Sequence, residues 1–319
     1  MPSSAKSFGG TYVATVTPFR KNREIDMDSF EWLVSKLAVS GVTGIFIGTT
    51  GEWVTLSLEE RAALVSKAKS AAPSLKVIVV ASSHDPSRYA EYGRRLLEAG
   101  ADAVAYTPPS YYRVSAKRLR SFLEDVLERV EGDVLLYTIP SHVGYNIEVD
   151  DVVYLVSNFS NLKGIKATVD DVHYLHQLAS REETRNADFA ILSGYGEYAL
   201  YALSVGGDGA VDALANMVPS LLARLYAKWV AGSFVEAVRL HRAYALLSTW
   251  AAGQPLPALI KAVLKIMGAP LEAFSRAYAW AEGLLREAAE AIATLICKDA
   301  VLREHTLQGL SCGGGQSLA

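Results

Sequence analysis

The chain has 319 residues and a formal net charge of −3, with half of the residues hydrophobic and 20% charged. That is an ordinary globular balance, and it offers no basic surplus for a nucleic acid partner. Two cysteines, Cys297 and Cys312, and six scattered histidines make neither a disulfide framework nor a zinc ligand set, so no metal site is expected. The N-terminal MPSSAKSFGG has no apolar signal core, and no run approaches the ~18 apolar residues that span a membrane. The reading is a cytoplasmic protein with no membrane partner.

Short β-branched runs alternate with helical patterns from the start. TYVATVT (11–17), GIFIGT (44–49), KVIVVAS (76–82) and AVAYTP (103–108) are followed by DVLLYTI (133–139), LKGIKAT (162–168), FAILSG (189–194) and GAVDAL (209–214). After each comes a segment whose apolar residues recur at helical spacing. Ser57 and Glu60 in SLEE form a capping box at the start of one such helix. The strands are almost continuously apolar, as expected when both faces of a parallel sheet are covered. An open doubly wound sheet would carry a glycine-rich dinucleotide loop after its first strand, and TVTPFRKNREID has none. The pattern therefore predicts the α/β class, a (β/α)8 TIM barrel over residues 1–230. Residues 231–296 remain helical and predict an extension of about three helices; 297–319 read as a frayed tail.

Active sites of such barrels lie at the C-terminal ends of the strands. Those ends present GTTGE (Gly48 to Glu52), YTPPSYY (Tyr106 to Tyr112), YTIPSHVG (Tyr137 to Gly144), Lys166, SGYGE from Ser193, and AVD ending at Asp212. A strand-end lysine can snorkel its head into water. Turned into the mouth instead, Lys166 becomes an amine nucleophile able to form a Schiff base with a carbonyl. Tyr137, one strand away, is either the proton carrier this chemistry needs or an aromatic packed beneath a loop. The turn at Gly48, Thr49 and Thr50 offers backbone amides and two hydroxyls as a cradle for a small carboxylate. Glu52 reads as a hydrogen-bonding residue of that loop. Asp212 is open between pocket and loop. His173 and His176 in HYLH read as a helix pair rather than metal ligands.

Together these features resemble the pyruvate-dependent class I aldolases and lyases, the family of dihydrodipicolinate synthase, N-acetylneuraminate lyase and 2-keto-3-deoxygluconate aldolase. The resemblance runs over about residues 10–295 and is carried by GTTGE at 48–52, by YTIPSHVG at 137–144 where the family writes Y-N-x-P-x-x-x-G, and by GIK at 164–166. It implies that Lys166 forms the Schiff base with pyruvate, that Tyr137 shuttles the proton, and that Thr49 and Thr50, with Gly48, bind the carboxylate. Gly194 and Val211 would line the same pocket, and no cofactor is implied. In dihydrodipicolinate synthases a tyrosine after the fourth strand completes the site of a neighbouring subunit. SYYR offers Tyr112 for that catalytic role and Tyr111 for substrate contact, with no spacing that decides between them. A homo-oligomer, a dimer of dimers, is the expectation.

Departures from the family pattern bear on the substrate. His142 stands where the synthases carry an arginine that grips aspartate semialdehyde, and a mostly neutral imidazole is no bidentate fork. Thr138 replaces the usual asparagine, and Trp53 follows Glu52; both are expected to reshape the mouth, the indole either packing against a polyol or plugging the barrel rim. The favoured substrate is a 2-keto-3-deoxy sugar acid, split into or formed from pyruvate and an aldehyde. The alternative is a dihydrodipicolinate synthase using another cation such as Arg113, and a more remote one is an idle barrel that only binds a 2-oxo acid.

Overall fold

A computed structural model of the chain describes residues 6–111, 114–281 and 285–312. Eight strands, β1 (Gly10–Ala14), β2 (Gly44–Ile47), β3 (Lys76–Val80), β4 (Ala103–Tyr106), β5 (Val134–Thr138), β6 (Leu162–Ala167), β7 (Ala190–Ser193) and β8 (Gly209–Asp212), pair in sequence order and close on themselves. Every pairing is parallel. Around them run α1 (Met27–Ala38), α2 (Leu58–Ala71), α3 (Tyr89–Glu98), α4 (Ala116–Arg129), α5 (Pro140–Val143), α6 (Val149–Asn158), α7 (Val172–Ser180), α8 (Glu182–Asn186), α9 (Ala199–Ser204) and α10 (Pro219–Val230). The extension follows as α11 (Phe234–Ala251), α12 (Leu256–Ile266), α13 (Arg286–Lys298) and the short α14 (Ala300–Glu304).

The unbroken apolar strands have a physical reason. Successive side chains alternate between the barrel interior, where Phe46, Val80, Ala105, Tyr137, Leu192 and Val211 cluster, and the helix-covered outer face, where Ile45, Val79, Val104, Leu136 and Ile165 pack. Each fully buried Val, Leu or Ile contributes roughly 1.5–3 kcal/mol, so both faces drive closure. Helix starts are fixed locally: Ser57 Oγ accepts from Glu60 N at 3.1 Å while Glu60 Oε2 accepts from Ser57 N at 2.9 Å. Asp26 caps α1 and Asp171 caps α7 in the same manner, side chain to backbone.

Residues 298–312 are packed, although 297–319 were expected to be a frayed tail; 313–319 lie outside the described residues. Asp299 caps α14, Leu302, His305 and Leu307 are buried, and Leu307 N donates to Met217 O at 2.8 Å. Cys297 and Cys312, too few for a framework, bond to each other and tether this segment to α13. Among the described residues no helix is long and apolar enough to cross a membrane.

Candidate active site

The two-residue period of β6 decides the fate of its lysine. Ile165 and Ala167 join the outer cluster, so Lys166 between them is turned into the barrel, where it is 4% exposed. Its Nζ lies 4.2 Å from the ring centre of Tyr137 and 4.3 Å from that of Phe46, two aromatic faces that stabilise a cation. Strand register places Tyr137 of β5 directly beside Lys166. The Tyr137 hydroxyl is 3.0 Å from Thr49 Oγ1, which links the β5 phenol to the loop after β2.

That loop is tightly built. Gly48 sits against the Phe46 ring, where an added Cβ would lie 2.4 Å from a ring carbon. Its carbonyl accepts from Trp53 N at 3.3 Å, and Thr49 O accepts from Glu52 N at 2.9 Å. Thr17 Oγ1 donates to Gly51 O at 2.7 Å. Thr50 is buried, Thr49 half-buried beside the space above Lys166. Val211 belongs to the interior cluster. Gly194 lets the end of β7 close on β6: a Cβ there would lie 1.9 Å from Thr168 Oγ1.

On the β5 side His142 occupies the one-turn helix α5, exposed at the rim, with Nδ1 3.0 Å from Ser141 Oγ. The protein around it, and then the Lys166 charge, hold its imidazole below the ordinary histidine range, so the ring is neutral at pH 7. Tyr195 follows β7, its ring edge-on to that of Tyr198. Burial, and then Asp170, push its phenol up to about 12, so it stays protonated and able to donate.

The expectation for Thr138 changes, while the sequence leaves other residues open or marks them as structural. Thr138 lies on the outer face of β5, one residue off Tyr137, and its Oγ1 donates to Asn146 Oδ1 at 2.8 Å. It braces the following loop and does not shape the mouth. Trp53 is largely consumed by packing, with the Arg61 guanidinium 5.0 Å above its ring and His84 stacked alongside at 6.3 Å. Asp212 faces outward: it accepts from Gly196 N and Leu214 N, each at 2.8 Å, and from the Tyr244 hydroxyl. Glu52 is a fully buried loop anchor. Tyr111 is 83% exposed after β4, while Tyr112 and Arg113 lie outside the described residues. His173 and His176 stack on the exposed side of α7, and no group of three metal-ligating side chains gathers among the described residues.

Thr168 was passed over by sequence reasoning, although counting by two from Lys166 along the strand puts it on the same inner face. It is 8% exposed, and its Oγ1 has no hydrogen-bond partner among the described residues. A buried hydroxyl left this way above a lysine is suited to a substrate hydroxyl.

The sequence profile of the dihydrodipicolinate synthetase family matches residues 7–290. The chain belongs to that family. With it, the protein is an enzyme of the class I aldolase and lyase type. An uncharacterized DapA-like lyase of Thermofilum pendens is 34% identical over 84% of this chain and 90% of its own. The 4-hydroxy-tetrahydrodipicolinate synthase of Thermotoga neapolitana is 29% identical over 82% of this chain and 89% of its own. Among solved structures, YagE, an Escherichia coli K12 prophage protein of the dihydrodipicolinic acid synthase family in complex with pyruvate, superposes with a TM-score of 0.86 at 26% identity, covering 93% of this chain and 99% of its own.

Proposed function

We propose that this family member is a Schiff-base lyase that splits, and in reverse forms, a 2-keto-3-deoxy sugar acid, with pyruvate as one partner and a hydroxylated aldehyde as the other. The observation that carries the reading is the line from Lys166 Nζ, over the Tyr137 ring, to a Tyr137 hydroxyl 3.0 Å from Thr49. The Lys166 amine adds to the C2 carbonyl, and loss of water leaves an iminium that draws electrons from C3. Tyr137, a phenolate once it has protonated the departing water, takes the C4 hydroxyl proton; the C3–C4 bond breaks, and its electron pair moves into the iminium to give an enamine as the aldehyde leaves. Protonation of the enamine at C3 and hydrolysis of the imine release pyruvate and return the lysine. Thr49, Thr50 and the Gly48 turn hold the carboxylate throughout.

The substrate class rests on the rim. A neutral His142, the Tyr195 phenol, Ser141 and the orphan Thr168 hydroxyl match neutral hydroxyl groups better than a second carboxylate. The family resemblance supports a cytoplasmic homo-oligomer, a dimer of dimers, and the exposure of Tyr111 after β4 fits a loop of one subunit that meets the site of another. The test of substrate is a side-by-side measurement of condensation between pyruvate and either glyceraldehyde or aspartate semialdehyde. Higher kcat/KM with glyceraldehyde is expected. A preference for aspartate semialdehyde would replace this reading with dihydrodipicolinate synthase, the activity printed for the Thermotoga relative.

A further inference from the structure

The loop that carries Thr49 and Thr50 ends in an arrangement that local needs do not explain. Glu52 has φ 59°, a left-handed conformation that a residue with a side chain adopts at a cost of about 1 kcal/mol or more and that glycine adopts freely. The position nonetheless carries a carboxylate, and among the described residues its hydrogen bonds and ion pair run to the helical extension. Glu52 Oε1 pairs with Lys261 Nζ at 2.5 Å; Oε2 accepts from Ser275 Oγ and from Ala277 N, each at 2.8 Å. Both charged side chains are fully buried. Lys261, on α12, also donates to Thr17 O at 3.1 Å, and Thr17 is the residue whose hydroxyl holds Gly51 O. One ammonium thus grips the last two residues of the Gly48–Glu52 turn, one through its side chain and one through Thr17.

A buried ion pair adds little net stability over apolar residues of the same size, because removing both charges from water offsets most of their attraction. Here burial presses the Lys261 ammonium down to about 8 even against the pull of Glu52. What such a pair does supply is a single geometry. Its two partners are 209 residues apart in sequence, so it sets the loop against the extension and not merely against itself. Three residues before Glu52, Thr49 meets the Tyr137 hydroxyl at 3.0 Å, and a small displacement there would open that contact and the carboxylate cradle together.

We infer that Lys261 is a positioning residue for the reaction: through Glu52 and Thr17 it holds the Thr49–Thr50 loop at the height at which it binds the pyruvate carboxylate and orients Tyr137. The inference rests on the Schiff-base reading above. It assigns the extension a part in substrate binding, although no residue of α12 stands among the proposed catalytic groups.

The test compares wild type with the Glu52→Gln/Lys261→Met double variant, which removes both charges together and so leaves neither buried unpaired. Folding is followed by thermal melting, and steady-state kinetics are measured with pyruvate varied at saturating glyceraldehyde. The expected result is a folded double variant whose KM for pyruvate is raised about tenfold while kcat changes less than about threefold. A folded double variant with the wild-type KM overturns the inference. Should the double variant fail to fold, Ser275→Ala removes one hydrogen bond from Glu52 without touching a charge; a KM raised about threefold supports the positioning role, and an unchanged KM overturns it. Borohydride trapping of pyruvate on wild type separates the two levels. Failure to trap removes the Schiff-base reading itself, whereas trapping with unchanged KM in the variants removes only the role of Lys261.

Discussion

Thr138 ends β5 and Thr168 follows the end of β6; counting by two from Lys166 puts Thr168 on the inner side, whereas Thr138 stands one residue from Tyr137. Under the proposed mechanism Thr168→Val deletes a hydroxyl partner of the aldehyde. It should lower kcat/KM for glyceraldehyde condensation about tenfold while leaving the pyruvate KM unchanged. Equal kcat/KM values would take Thr168 out of the site. His142 sets a pH signature. Its ring is held below the ordinary histidine range, so it is neutral at pH 7 and gains charge only as the pH falls through that depressed value. The ratio of kcat/KM for glyceraldehyde over aspartate semialdehyde should therefore fall as the pH is lowered from neutral, and His142→Gln should flatten it. His142→Arg should narrow or reverse the ratio at every pH. These residues were legible to different depths. Lys166, Tyr137 and the GTTGE turn sit at strand ends that a linear reading can enumerate, whereas which hydroxyl points inward needs the strand register.

At the scale of elements, all eight strands and the capping box of α2 follow from local pattern, since alternation and caps depend on neighbours within a few residues. What ties elements together is not local. Glu60 closes the capping box and also accepts from both terminal nitrogens of Arg276, a residue 216 positions away in the extension. The Arg276 hydrogen bonds hold the Glu60 carboxyl below the usual range. A carboxylate with a depressed folded pKa stabilises above its unfolded value, and that contribution is lost as the pH falls through the folded one. Glu60→Ala should thus lower stability by about 1–2 kcal/mol at pH 7, a value that discounts the pair for its partial exposure. Thermal melts should show the gap between wild type and variant closing in acid. The Lys261–Glu52 pair was equally out of reach of the sequence: Glu52 reads as a hydrogen-bonding residue of its loop, but its partner lies 209 residues away and only the closed fold brings the two together.

For the molecule as a whole, the tail shows that two cysteines too few for a framework still form one bond. Cys297 and Cys312 are 15 residues apart, and their bond closes a loop that keeps α14 against the barrel. Closing a loop of this size removes about 3 kcal/mol of unfolded-chain entropy, so Cys297→Ser/Cys312→Ser should lower the melting temperature without altering turnover. Assembly is tested separately: sedimentation should find an oligomer, and Tyr111→Phe should leave the fold intact. A fully active monomer at low concentration would remove any cross-subunit role of the β4 loop. The whole account turns on one covalent bond. Incubating the protein with pyruvate and borohydride, then measuring intact and peptide masses, should find one reduced pyruvate adduct per chain on the peptide holding Lys166, with both label and turnover gone in Lys166→Arg. A wild-type protein that emerges unlabelled and fully active would contradict it.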